Sequence, residues 1–500
     1  MDMLDWLSTT NEASIAPCYH LYLNGKWLPS TNDAHFEDLD PATGMQIARV
    51  ADASQADVDA AILAAHDAQP GWEALVAAER AAYFYRAAEL FAERQEAFAR
   101  VLIAETGSSF GKAMYECSLI PVALRQAASL TTAEIGEVMP SNIPGKINRT
   151  IRRARGVIGV ISPWNFPLYL SVRGFAYALA LGNTIVLKPS EDSPLTGGLM
   201  LAELFADAGF PAGTLNVVTT SRDGAAMVGK SFVEDRRVAG LSFTGSTNVG
   251  RTLSIACAGA FKPIMLELGG KNPILVLEDA DINRAVDICF FGAFLHQGQI
   301  CMSADRIIVA EAIYDEFLAR LVEKAKVFAP TAPAEPTCVI GPIINTRQVE
   351  RIKKIVDEAR QDGATVHCGG NANGNFYEAT VLSGINPDMR IWNEEIFGPV
   401  TCVMPATSVE EAIRLANDTE YGLSAAIVTS DPFLGEQLAE RINAGMVHVN
   451  DSTVHDEPHC PFSGLGASGG GGKWGPKGAI EAFTTQRWIT TQRQQNPFPF

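Results

Sequence analysis

The stretch RGVIGVISPWNFPLYLSVRGFAYALALGNTIVLKPS, Arg155 to Ser190, decides the fold. Its first part, RGVIGVISPWNFP (155–167), is an apolar, β-rich run that breaks at Pro163. LYLSVRGFAYALALGN (168–183) has the length of a helix and ends at Gly182-Asn183, and TIVLKPS (184–190) is a short buried strand stopped by Pro189. Strand, helix, strand is the signature of a parallel sheet with helices on its faces.

The rhythm continues outward. SPLTGGLMLAELFADAGFP (193–211) predicts a helix with Ser193 at the N-cap, Pro194 in the first turn and Gly209 at the C-terminus. TLNVVT (214–219) and VAGLSFTG (238–245) predict strands, and STNVGRTLSIACAGA (246–260) a helix. On the N-terminal side, 55–70 and 75–104 carry Ala and Leu at helical spacing. The alternation resumes after residue 300: RIIVA (306–310) is a strand and AIYDEFLARLVEKAKVF (312–328) a helix. Residues 349–370 read as a helix then a strand, and 408–430 repeat that pattern. The expected architecture is α/β, with two doubly wound parallel-sheet domains meeting near 260–300, a Gly-rich segment at 468–478 and a β-like FTTQRWITTQ (483–492).

Bulk properties narrow the function. At 500 residues the chain exceeds one hydrophobic core. No apolar run reaches the roughly 18 residues that span a bilayer, and MDMLDWLSTTNEAS has neither a basic flank nor an apolar core, so a cytoplasmic location is expected. A formal charge of −18 argues against nucleic acid and anionic membranes as partners; the basic RTIRRAR (149–155) is a local exception. Nine widely spaced cysteines, without CxxC or a His/Cys cluster of zinc spacing, argue against a disulfide scaffold and against a metal site.

Several short motifs carry candidate chemistry. FTGSTNVG (243–250) puts Gly245 and Ser246 between a strand and a helix, where free N–H groups attract phosphate; the same pattern also serves as a plain structural turn. LKPSEDSP sets Lys188 and Glu191 at a strand's C-terminal end, where open sheets bind ligands and where a carboxylate suits ribose hydroxyls; a solvated Lys and a helix-start Glu is the bland alternative. In LELGGKNP (266–273), Glu267 ends an apolar strand, either as a desolvated general base or as an ion-paired structural residue. PWNFP (163–167) constrains Asn165 as an oxyanion donor or a turn cap. In GQICMSADR (298–306), Cys301 reads from local sequence alone as a buried filler, half of a bridge or a nucleophile.

PWNFPLYL, LKPSEDSPLT, FTGSTNVGR, LELGGKNP, GQICMSADR and EEIFGPV (394–400) follow one another in this order, and together they resemble the aldehyde dehydrogenase superfamily from about residue 20 to about 490. The resemblance implies that Cys301 is the nucleophile, Glu267 the base that activates water on the thioester, and Asn165, with the Cys301 backbone N–H, the oxyanion donor. It implies NAD as cofactor, with NADP less favoured because Glu191 would face the 2′-phosphate. Lys188 and Glu191 would lie at the adenine-side ribose, Ser246 at the pyrophosphate, Glu395 at the other ribose, and Trp164, Gly245, Leu268 and Phe397 along the same crevice.

The implied domains are 1–134 with 157–266 for NAD, 267–484 for catalysis, and an oligomerisation extension of 135–156 with 485–500, giving a homodimer or homotetramer. The resemblance places Phe166, Leu170, Leu295, Ile300, Met302 and Phe462 along the substrate tunnel, and helical spacing adds Tyr169 and Arg173 to the candidate pocket. PWNFPLYLSVRGFAYALALGN and STVHDEPHCPFSG (452–464) are most similar to the aromatic-aldehyde branch, the benzaldehyde and vanillin dehydrogenases. Asn165, Tyr169 and Arg173, spaced i, i+4, i+8, are expected on one helix face, with Arg173 either reaching a ring substituent or sitting as an ordinary ion-paired residue.

Three departures stand out. PFSG (461–464) replaces PFGG; Lys473 sits where many hydrolytic relatives carry a second, proton-relaying Glu; and NVVTTSRDG (216–224) lacks the usual glycine. The alternatives are a non-aromatic aldehyde dehydrogenase, a member that passes its acyl group to coenzyme A, and a catalytically retired structural member.

Overall fold

The computed structural model describes residues 16–493, 495, 497 and 498; the acidic MDMLDWLSTTNEAS stretch, and part of the last residues assigned to the extension, lie outside the described residues. Two sheets organise the chain. In the eight-stranded sheet the central strands run parallel in the order Ile264–Glu267, Val238–Thr244, Val157–Ile161, Thr184–Lys188, Leu215–Val217. Antiparallel edge strands complete it, Gly469–Gly470 on one side and Leu21–Leu23 with Lys26–Leu28 on the other. In the seven-stranded sheet, Thr380–Ser383, Val400–Ala406, Arg306–Ala310, Pro273–Val276, Ser424–Val428 and Met446–Val449 are parallel, with Thr365–Cys368 antiparallel at one edge. The chain passes from the first sheet to the second across residues 268–272, inside the LELGGKNP motif.

The deciding stretch folds as its pattern predicts. The strand Val157–Ile161, the helix Pro167–Ala180 and the strand Thr184–Lys188 follow in turn. The helix is buried along its whole length, which explains its near-continuous apolar sequence. It stops where Gly182 takes φ +91°, a left-handed conformation that glycine adopts without penalty.

Three local expectations are corrected. The first N-terminal helix continues through Pro70 to Ala74. Residues 193–211 do not form one Ser193-capped α-helix: a π-helical turn covers Leu195–Leu199 and an α-helix Met200–Asp207. The cause is the buried Glu105 carboxylate, which accepts from the N–H groups of Leu195 (2.7 Å) and Thr196 (2.9 Å) and so takes the capping role assigned to Ser193. Asn165 precedes the helix that carries Tyr169 and Arg173, because that helix begins only at Pro167, its missing N–H tolerated in the first turn.

A separate three-stranded sheet pairs Thr484–Gln492 with Lys146–Ala154, and Lys146–Ala154 with Val138–Met139. The basic RTIRRAR lies in its central strand, where Arg153 pairs with Glu73 at 3.1 Å. Among the described residues no helix is long and apolar enough to cross a membrane.

Candidate active site

The strand order of the first sheet reverses between Val157–Ile161 and Val238–Thr244, and the crevice outside the C-terminal ends of such a pair is where ligands bind in open parallel sheets. The two loops that leave these ends are SPWNFP and GST. Between them and the second sheet lies a cavity of about 740 Å³, whose walls include Trp164, Asn165, Gly245, Ser246, Glu267, Leu268, Cys301, Glu395 and Phe397. Motifs scattered over more than 200 residues of sequence are thus gathered by the sheet topology.

Cys301 is held by strained backbone. His296, Gln297 and Gly298 have φ of 48°, 54° and 66°, so three consecutive residues are left-handed, and for the first two that costs of order 1–3 kcal/mol each. A side chain at Gly298 would bring its Cβ within 2.0 Å of the Gly398 carbonyl, which fixes glycine in GQIC. On the other side, Asn272 Nδ2 donates to the Cys301 carbonyl (2.8 Å), and a Cβ at Gly270 would lie 2.4 Å from that oxygen. The paired glycines of LELGGKNP are therefore a close backbone approach that lets Glu267 and Cys301 share one site. All nine cysteines are free thiols.

Asn165 is nearly buried, and its Nδ2 donates to the Gln299 carbonyl at 2.9 Å. The amide nitrogen carries a second hydrogen, which is left for an oxyanion beside Cys301. The turn is fastened from below by a buried ion pair that the sequence reading did not single out. Lys112 Nζ lies 2.6 Å from Glu116 and donates to the Asn165 carbonyl at 2.8 Å, while Glu116 accepts from the Tyr169 N–H at 3.1 Å, at the start of the Pro167 helix.

Glu267 is 1 % exposed. Burial raises its carboxyl above the usual range, while Arg173 and the Cys301 thiol oppose that rise. Burial, then Glu267, push the Cys301 thiol well above its ordinary range. Arg173 Nη1 bonds Asp456 at 2.9 Å and Nη2 stands 3.4 Å from Glu267. The ordinary ion-pair reading of Arg173 is therefore incomplete, because one of its two carboxylates is the candidate base.

The crevice suits a dinucleotide. Ser246 occupies the N-cap of the helix Thr247–Gly259 without a side-chain cap bond, so its hydroxyl and the first-turn N–H groups remain for a pyrophosphate. Phe397, at φ +54°, packs edge-on to Trp164 with ring centroids 5.4 Å apart. Glu395 accepts from the Gly270 N–H (2.9 Å), and burial raises its pKa to about 8. Lys188 and Glu191 do not line this cavity. They sit at the end of the adjacent strand, 3.4 Å apart, and Arg222 of the NVVTTSRDG segment stands 3.7 Å from Glu191.

A second, narrow slot opens on the other side of Cys301. Phe166, Tyr169, Leu170, Arg173, Ile300, Met302 and Phe462 line it, as expected, whereas Leu295 stays outside it. At about 30 Å³ the slot is closed down, so a ring enters only by moving wall side chains. Tyr115, Leu119, Val454 and Asp456 also line it and were not singled out from sequence. The i, i+4 spacing of Tyr115 and Leu119 was the one available signal for the first pair. On the outside of the loop bearing Asp456, Glu457, His459 and Cys460 bring ligand atoms within 4.8 Å of one another, a grouping that zinc-pattern spacing does not register.

Cys301 at the join of a dinucleotide-type crevice and an apolar slot, with the buried Glu267 beside it, is an arrangement suited to a nucleotide-dependent oxidoreductase working through an acyl-enzyme. The model of the aldehyde dehydrogenase family matches residues 27–489. The chain is 44% identical over 490 residues to a vanillin dehydrogenase of Corynebacterium glutamicum, covering 97% of this chain and 100% of that one. It is 42% identical to a benzaldehyde dehydrogenase [NAD(+)] of Pseudomonas putida, over 92% of this chain and 94% of that protein. The crystal structure of a salicylaldehyde dehydrogenase from Pseudomonas putida G7 with salicylaldehyde superposes with a TM-score of 0.94 at 36% identity, covering 97% of this chain and 100% of that chain. The protein belongs to the aldehyde dehydrogenase family.

Proposed function

We propose that this aldehyde dehydrogenase oxidises aromatic aldehydes to their carboxylic acids, with NAD preferred over NADP. The observation that carries the reading is the position of Cys301, shared by the large crevice and the aromatic slot. The relatives' activities on vanillin, benzaldehyde and salicylaldehyde support it.

Glu267 takes the Cys301 proton, and the thiolate adds to the aldehyde carbon. The resulting thiohemiacetal oxyanion is met by the Asn165 amide and the Cys301 backbone N–H. A nicotinamide dinucleotide bound in the large crevice supplies the hydride acceptor. Trp164, Gly245, Ser246, Leu268, Glu395 and Phe397 would hold it, with Lys188 and Glu191 toward the adenine-side ribose. Glu267 releases the thiol's proton to solvent and then removes a proton from water as the hydroxide adds to the thioester; the C–S bond breaks, the acid leaves, and Glu267 returns its proton to the Cys301 sulfur. Glu191 favours NAD because a 2′-phosphate would meet a carboxylate, although Lys188 and Arg222 draw off part of its charge.

In this reading residues 1–134 with 157–266 carry the cofactor, 267–484 carry the catalytic cysteine, and 135–156 with 485–500 join subunits of a cytoplasmic homodimer or homotetramer.

The test is a panel of aldehydes assayed with NAD and NADP in parallel. Benzaldehyde-type substrates are expected to exceed acetaldehyde and glyceraldehyde in kcat/KM by at least about tenfold, which is about 1.4 kcal/mol of transition-state binding. Arg173→Ala is expected to weaken ring-hydroxylated substrates more than benzaldehyde. A lead for short aliphatic aldehydes or betaine aldehyde overturns the aromatic assignment, and equal specificity constants with both cofactors overturn the NAD preference.

A further inference from the structure

Arg173 is shared by two buried carboxylates, and it is shared unequally. Its side chain is 5 % exposed and its guanidinium lies over the Phe462 ring, 4.1 Å from the centroid. Nη1 makes a true hydrogen bond of 2.9 Å to Asp456. Nη2 comes only to 3.4 Å of Glu267 and has no hydrogen-bond partner, and neither does Glu267 Oε1. The aromatic stack and Asp456 fix the cation, and Glu267 is left at its margin.

We propose that Asp456 is a positioning residue for the general base: by taking Arg173 as its own partner, it leaves Glu267 held loosely enough to accept a proton and to move between Cys301 and the water that cleaves the thioester. The proposal rests on Glu267 being that base.

The electrostatic surroundings agree. Glu267 faces Arg173 from the Pro167 helix, Cys301 from the loop before the strand Arg306–Ala310 and Glu395 from the EEIFGPV segment, with Asp456 behind Arg173. Asp456 faces Arg173, Tyr169 and Tyr177 of that helix, Tyr115 of the helix Phe110–Leu130, and His455 of its own loop. After burial, the strongest influence on Glu267 is Arg173, which favours the carboxylate, and Asp456 works against it. A fully engaged cation at contact distance lowers a carboxyl pKa by roughly 1–3. A base so weakened, and pinned in an ion pair, would be slow in both of its tasks.

The experiment isolates thioester hydrolysis from redox chemistry. 4-Nitrophenyl benzoate acylates Cys301 in a burst of nitrophenol, and the slow phase that follows reports deacylation without any nicotinamide. Benzoate carries no ring hydroxyl, so a hydrogen bond from Arg173 to a ring substituent does not enter. In the wild type the slow phase is expected to fall at low pH along a limb set by Glu267. In Asp456→Asn the limb should move down by about one pH unit while the plateau rate drops at least about tenfold. In Arg173→Met, where the cation is gone and two carboxylates face each other, the limb should move up. Asp456→Glu should return it toward the wild type.

Shifts of opposite sign in the two variants would not follow from a merely structural role. If Asp456→Asn keeps the wild-type limb, Asp456 does not act through Arg173 and the proposal is overturned, whatever Arg173→Met does. If Asp456→Asn does not fold, Asp456→Ala takes its place, and an unmoved limb in that variant overturns the proposal. If Glu267→Gln retains the limb, Glu267 is not the base and the underlying reading fails first.

Discussion

Cys301 is a thiol that its surroundings keep protonated. Burial and the Glu267 carboxylate push its acidity well above that of a free cysteine, and the smaller effect of Arg173 does not reverse this. The thiolate is the reactive form, and its fraction grows about tenfold per pH unit below the pKa. Inactivation of the cofactor-free protein by iodoacetamide should therefore be slow at pH 7 and climb without a plateau to at least pH 9. It is best followed as loss of activity with a protecting substrate as control, because Cys18 and Cys460 are exposed and would also be alkylated. A plateau below pH 8 would mean that the resting thiol is already ionised. Cys301, Glu267 and Asn165 were singled out by the ordered set of motifs, and the structure brings the three to one cavity. Asp456 was not, because it gains its meaning from Arg173, 283 positions away. Neither STVHDEPHC nor RGFAYALA contains a sign of the other.

At the scale of elements, most strands and helices between 155 and 260 could be read because hydrophobic period, glycine and proline agree there, while the helix Ala225–Glu234 went unread. The reading failed where a distant side chain overrides a local rule, as Glu105 does at the π-turn Leu195–Leu199. The same holds for the PWNFP turn. Its constraint was visible in the two prolines, but its anchor, the Lys112–Glu116 pair on the helix Phe110–Leu130, lies some 50 residues earlier. Both side chains of that pair are fully buried, and removing one partner of such a pair costs roughly 3–5 kcal/mol because the other is left as an uncompensated charge. Glu116→Gln should therefore lower Tm by several degrees. It should also lower kcat, since Lys112 holds the Asn165 carbonyl and Glu116 the N–H that opens the helix. Replacing both with Met and Gln should recover stability better than activity. If the double variant regained full kcat, the pair would be serving the fold alone and not the placement of Asn165.

For the whole molecule, the three-stranded sheet is the part that a single chain does not explain. It stands apart from the two large sheets and carries exposed apolar side chains, with Ile135 68%, Val138 79% and Trp488 66% exposed. The register sets Trp488, opposite Thr150, and Val138, opposite Arg149, on opposite faces of the sheet, and the apolar face that bears Trp488 marks an interaction surface. The proposed homo-oligomer gives it an occupant. A second copy would cover the apolar face and, by mass action, add to the stability of the folded chain. Trp488→Glu places a charge in the middle of that face while leaving its strand-edge hydrogen bonds to Lys146–Ala154 in place. Light scattering should then show the mass fall to a smaller assembly, and Tm should become lower and dependent on protein concentration. None of the residues lining the two cavities comes from the three-stranded sheet, so the freshly diluted variant should retain the wild-type KM for benzaldehyde. An unchanged mass for the Trp488→Glu protein would remove this sheet from the subunit contact, and a wild type that runs as a monomer would remove the contact altogether.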